Sequence, residues 1–170
     1  MTDLTVNLHC ELTDARILLL GAGGASRGVL GPILDLQPRE VLVANRTGER
    51  ALQLAQLFQA DGAVRACTLD ALPDTPFDVI INATAAGLAG QQLPLRALHL
   101  TPGGMCYDMM YGPEPTVFVT QMRALGAVRA VDGRGMLVEQ AAESFTVWRG
   151  VRPRTAPVIG KLSQSLAGIL

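Results

Sequence analysis

The apolar run Arg16-Ile-Leu-Leu-Leu20 leads without a spacer into Gly21-Ala-Gly-Gly-Ala-Ser-Arg-Gly28. No other feature narrows the possible folds as much. A short, continuously apolar segment is the signature of a strand buried on both faces. A strand that turns at once into a helix needs residues without a Cβ at the bend. Bare backbone at Gly23 also lets a pyrophosphate approach closely, and the helix that follows aims unpaired N–H groups and the positive end of its dipole at the phosphates. Ser26 stands where the G-x-G-x-x-G pattern has its third glycine, and it is small enough for helix to pack on strand. A glycine-rich turn alone is weak evidence. Between a strand and a helix, with a second strand–helix unit behind it, it predicts a dinucleotide site at Gly21, Ala22, Gly23, Gly24 and Ala25.

The rest of the chain repeats that alternation. Glu40–Asn45 reads as a second strand, followed by a helix from about Gly48 to Gln59. Further strands are expected at Val64–Thr68, Phe77–Asn82, Met105–Asp108 and Ala127–Val131. Helices are expected from Ala25 to about Leu36, Pro115 to Leu125, Met136 to Trp148 and Val158 to Leu170. Pro153 and Pro157 bracket a break before the last of these. Strands alternating with helices predict an α/β, doubly wound Rossmann fold, a mostly parallel sheet covered on both faces. Residues 1–14 read as a helical connector whose upstream part is missing, 15–152 as one nucleotide-binding domain, and 153–170 as a C-terminal helix.

The end of the second strand selects the dinucleotide. NAD sites usually carry an acidic residue there to accept from the ribose 2′-OH. This chain has Asn45, then Arg46, Thr47 and, one helical turn on, Arg50. A carboxylate would repel a 2′-phosphate, whereas two guanidinium groups and a hydroxyl favour it. Two arginines on a helix's first turn can also be a solvated surface pair. Cations are unfavourable at that end of a helix, however, so their presence points to an anion and to NADP(H).

Three later motifs fall where open α/β sheets place ligands. Asn82-Ala-Thr84 ends the fourth strand, and its polar side chains suit either cofactor contacts or a turn held by side-chain to backbone bonds. Tyr107-Asp-Met-Met-Tyr111 ends the fifth and holds both tyrosines. Asp132-Gly-Arg-Gly-Met136 is a second glycine turn opening a helix, with Gln140 one turn further on. A proton donor for carbonyl reduction is harder to find. His9 and His99 stand alone, Lys161 is the only lysine and is remote from these motifs, and neither tyrosine is followed by a lysine at helical spacing.

Composition closes off other classes. The chain has 170 residues, 49% of them hydrophobic and 17% charged, enough for a real core. A formal net charge of -1 gives no reason to expect nucleic acid or a membrane surface as a partner. Cys10, Cys67 and Cys106 lack metal spacing and suggest reduced thiols in a cytoplasmic protein. No signal-like start or membrane-length apolar run is present, and no metal site is expected.

Taken in order, these motifs give the whole chain from residue 3 a resemblance to shikimate dehydrogenases, specifically to their C-terminal nucleotide-binding domain. It is carried by Gly21–Gly28, Asn45-Arg-Thr47 with Arg50, Ile81–Thr84, Cys106–Met109 through Tyr111, and Asp132–Gln140. The resemblance implies reversible reduction of 3-dehydroshikimate to shikimate with NADPH, in aromatic amino-acid biosynthesis. It implies that residues 21 to 25 hold the pyrophosphate, and that Asn45, Arg46, Thr47 and Arg50 hold the adenosine phosphate. Asn82 and Thr84 are expected to border the cofactor, and the resemblance further implies that Met109 and Gly133 flank the nicotinamide and that Tyr111 and Gln140 reach the substrate. No catalytic residue is expected in this chain, because the family takes its lysine and aspartate from an N-terminal substrate domain. Without that domain the chain is expected to bind NADP(H) but not to turn over, and the small-molecule substrate would bind only with it. Self-association through the apolar face Ile159, Leu162, Leu166 and Ile169 is a further expectation. A quinate/shikimate enzyme, a glutamyl-tRNA reductase and a free-standing NADPH-binding regulatory module are the competing readings.

Overall fold

The structure, a computed structural model, describes residues 1–167. Six strands form one sheet: β1 (Arg16–Leu20), β2 (Glu40–Asn45), β3 (Val64–Thr68), β4 (Phe77–Asn82), β5 (Leu100–Asp108) and β6 (Arg129–Val131). Their spatial order is β3-β2-β1-β4-β5-β6, and every pair is parallel. The helices are α1 (Gly24–Leu34), α2 (Gly48–Leu57), α3 (Val117–Ala124), α4 (Arg134–Arg149) and α5 (Ala156–Ala167). This is the expected Rossmann architecture. Strand order reverses between β1 and β4, so the crevice beyond their carboxyl ends is where ligands are expected.

Period-two alternation divides each central strand between two cores. Ile17, Leu19, Val41, Val43, Val79 and Ile81 pack beneath Leu30 and Ile33 of α1 and Ala51 and Leu54 of α2. Leu18, Leu20, Leu42, Ile80 and Cys106 face the other way, onto Phe118, Val119 and Met122 of α3. Burial of both faces is why β1 and β2 read as unbroken apolar runs. The thiols of Cys10 and Cys106 are buried and unpaired, and burial pushes the Cys106 thiol up to about 12.

β5 and the N-terminal lead-in differ most from the sequence reading. β5 begins at Leu100 rather than Met105, with a register shift against β4 between Phe77 and Val79. Thr101-Pro-Gly-Gly104 looks like a turn, but Gly103 takes a positive φ of 80° and carries the irregularity inside the strand. Only Asp3–Asn7 of the lead-in is helical, as a single π turn. The crossover from β4 to β5, for which no helix is expected from sequence, holds two short 3-10 turns, Ala86–Ala89 and Ala97–His99. Of the expected C-terminal apolar face, Ile169 lies outside the described residues.

Candidate functional site

The glycine loop bends as required. Gly21 has a φ of +105°, and its N–H donates to Ala44 O of β2 at 2.7 Å. A Cβ there would stand 3.0 Å from Ala83 O and 3.2 Å from Thr84 Cγ2. The loop is thus pressed between the ends of β2 and β4. Ser26 is fully buried and donates its hydroxyl to Gly21 O at 2.8 Å, a bond that glycine at that place could not make. Gly23 and Gly24 face open space, since a Cβ on either would meet nothing within 4 Å. Their uncapped N–H groups begin α1, with no side chain closing that end. The loop therefore fits a pyrophosphate.

Two clefts flank the end of β2. Asn45, Arg46, Thr84, Ala85 and Gln92 line the larger, of about 710 Å³. Ala22, Gly23, Gly24, Arg27, Arg50 and Gln53 line the second, of about 410 Å³. The two arginines read together from sequence thus lie on different walls. Arg46, Thr47 and Arg50 are exposed, and neither arginine is ion-paired among the described residues. Asn45 donates its amide to Thr47 O at 3.0 Å, shaping the entry to α2, while the Thr47 hydroxyl leaves the helix end uncapped.

Asn82 sits differently. It is 1% exposed, its amide donates to Asp108 Oδ1 at 2.9 Å, and its carbonyl accepts from the Thr84 N–H and hydroxyl. Asp108 also accepts from Met110 N at 3.0 Å and from Thr116 Oγ1 at 2.6 Å. Burial pushes the Asp108 carboxyl up against these bonds, and neighbouring Asp132 adds to the rise. The cluster locks the turn after β5 to the turn after β4. Gly133 completes it, donating its N–H to Met110 O at 2.9 Å, and a Cβ there would be 2.8 Å from Met109 O. Only glycine lets the turn after β6 approach the turn after β5 so closely.

Met109 is half-buried and shares a smaller pocket, about 170 Å³, with Gln140, Met136, Tyr107 and Asp3. The two tyrosines separate in role. Tyr107 is buried and donates its hydroxyl to Asp3 Oδ2 at 2.6 Å, and burial first, then Asp3, hold its proton on. Tyr111 is 48% exposed and makes no hydrogen bond among the described residues. His99 is buried, its Nδ1 accepting from Arg96 N at 3.1 Å, and burial pushes its imidazole down. It lies on the β4–β5 crossover, apart from the glycine loop. Among the described residues no group of three or more His, Cys, Asp or Glu could hold a metal ion. No described helix is long and apolar enough to cross a membrane.

Sequence reasoning did not single out Arg27, Asp108, Thr116 or Asp3. Arg27 was visible inside the glycine motif, but which way a helix residue faces depends on where the next helix packs. Asp108 and Thr116 are eight residues apart and meet only once β5 and α3 are in place.

A family model described as shikimate / quinate 5-dehydrogenase matches residues 3–89, and one described as the shikimate 5'-dehydrogenase C-terminal domain matches residues 133–162. The shikimate dehydrogenase (NADP(+)) of Alkalilimnicola ehrlichii is 57% identical over 94% of this chain and 59% of its own length. That of Dechloromonas aromatica is 49% identical over 96% of this chain and 60% of its own. Among solved structures, an Ael1 enzyme from Pseudomonas putida superposes with a TM-score of 0.86 at 44% identity, covering 95% of this chain and 59% of that one. The chain therefore spans about 60% of the length of the curated relatives it matches.

Proposed function

The chain belongs to the shikimate/quinate 5-dehydrogenase family, and from that premise we propose that it is the NADP(H)-binding part of a cytoplasmic shikimate dehydrogenase. The parent reaction is the reversible reduction of 3-dehydroshikimate to shikimate. The observation that carries the cofactor reading is the bare glycine loop flanked by Arg46 and Arg50, both exposed and unpaired among the described residues. Relatives named for NADP(+) support it.

Residues 21–25 hold the pyrophosphate through backbone N–H groups, and Ser26 fixes the loop from below. Asn45, Arg46, Thr47 and Arg50 hold the adenosine end. Thr84 borders that cleft, and Asn82 acts through it as a positioning residue, because its side chain is buried and fully engaged. Met109 and Gly133 set the floor of the nicotinamide site, with Tyr111 and Gln140 directed to the substrate side. When bound, the reduced nicotinamide supplies a hydride to the carbonyl carbon. The alkoxide oxygen then needs a proton, and neither Tyr107 nor His99 is placed to give one: the first is committed to Asp3, the second lies on the crossover. The acid/base pair and most substrate contacts are assigned to the share of the relatives that this chain does not span. Exposed Val158 and Leu162 on the C-terminal helix support self-association through it.

The test is calorimetric titration of the chain with NADPH and with NADH, beside an assay of shikimate oxidation. Binding of NADPH at least tenfold tighter than NADH, with no turnover, is expected. Equal affinities would remove the argument from Arg46 and Arg50. Turnover would place an acid/base within these residues.

A further inference from the structure

Arg50 has a partner that the family motif does not name. It lines one groove together with Arg27 and with Ala22, Gly23 and Gly24, at the first turns of α1 and α2. Arg27 is exposed, and its N–H donates to Gly23 O at 3.0 Å, which fixes its place at the head of α1. Neither guanidinium is ion-paired among the described residues. The acidic residue of α2's first turn, Glu49, accepts instead from Gln53 Nε2 at 3.3 Å. Two like charges lining one groove repel, and each also stands near the positive end of a helix dipole. A dianion between them turns both costs into attraction, and a guanidinium on each side offers paired N–H donors to phosphate oxygens. Arg46 does not share this groove: it lines the neighbouring cleft with Asn45 and Thr84.

We propose that Arg27 and Arg50 grip the 2′-phosphomonoester of NADP(H) from opposite walls of this groove, so that Arg27 is a determinant of NADP(H) selectivity. The inference rests on the reading of the chain as an NADP(H) binder. The pyrophosphate is common to NADPH and NADH, so a residue acting on the 2′-phosphate alone changes one affinity and not the other.

The experiment measures NADPH and NADH affinities for the whole chain, for R27Q, and for R149Q. Arg149 is exposed at the far end of α4, and its loss changes net charge by the same amount. R27Q is expected to weaken NADPH about tenfold, ~1.4 kcal/mol, with NADH unchanged and R149Q like the parent chain. Because Arg27 is exposed and makes no side-chain hydrogen bond among the described residues, an unchanged thermal midpoint is expected alongside. R27K, which keeps the charge without the fork, should recover only part of the loss. Unchanged NADPH affinity in R27Q overturns the proposal, as does equal weakening of NADPH and NADH, or an equal loss in R149Q. A parent chain that does not prefer NADPH defeats the underlying cofactor reading instead, and does so before any variant is made.

Discussion

Gly21 and Asn82 show how few side chains hold the crevice open. At Gly21 the positive φ and the 3.0 Å approach to Ala83 O act together, so alanine would suffer both backbone strain and a clash. G21A is expected to lose roughly 2–3 kcal/mol in urea unfolding, and NADPH affinity with it. A variant as stable as the parent would show that the loop is free to move. Asn82 is an interior case. N82A strips a buried donor from Asp108 and an acceptor from Thr84, with an expected cost of about 2 kcal/mol. NADPH should bind more weakly through a displaced Thr84, while a loss confined to binding, with unchanged stability, would make Asn82 a direct contact. The glycine loop, the Asn-Arg-Thr run and Gly133 were legible from residue types alone, since each answers a local backbone or charge requirement. The engagement of Asn82 with Asp108 was not, because 26 residues separate them and only the parallel pairing of β4 with β5 brings them together.

Elements were easier to read than their junctions. β1, β2 and β4 match their expected bounds because both faces are buried and the apolar runs stop where burial stops, and the half-exposed edge strand β3 matches as well. β5 was misjudged at its start, where glycines serve a bulge, and α4 begins two residues early because Asp132 accepts from Arg134 N at 3.2 Å as the helix opens. α4 is also where a polar spine runs. Glu139 is buried, accepts from Asn7 Nδ2 at 3.0 Å, and pairs with Arg152 beyond the helix at 2.8 Å. Burial opposes its charge, but Asn7, Thr155 and Arg152 outweigh it and hold its carboxyl below the usual value. A lowered carboxyl stabilises the fold above its ordinary pKa of 4.5 and ceases to do so as pH falls through the folded value. E139Q is therefore expected to be less stable than the parent by about 2 kcal/mol near neutral pH, with the gap closing in acid below 4.5. Urea midpoints across that range check it, and a gap independent of pH would mean that packing, not charge, is what Glu139 supplies.

For the molecule as a whole, the end of α4 and the segment after it carry a run of exposed apolar side chains. Val147 is 81% exposed, Trp148 78% and Val151 64%, beside an apolar groove where α4 meets Val158 of α5. Sedimentation velocity is expected to show association rising with concentration, and W148E to abolish it; identical sedimentation of the two proteins would leave that surface without a self-partner. The sheet carries a different consequence. Parallel strands cannot be joined by a tight turn, so each pairing closes a long loop. β1, at the centre, has neighbours on both sides, and Arg16 at its start bonds through its N–H to Asp78 of β4, 62 residues later. A ribosome adds roughly 5–20 residues per second, so an emerging chain leaves one edge of β1 bare for roughly 3–12 seconds. The spatial order of the strands is thus also a timetable, in which the strand that anchors the phosphate loop is the first of the six made and the one that waits longest for its second neighbour.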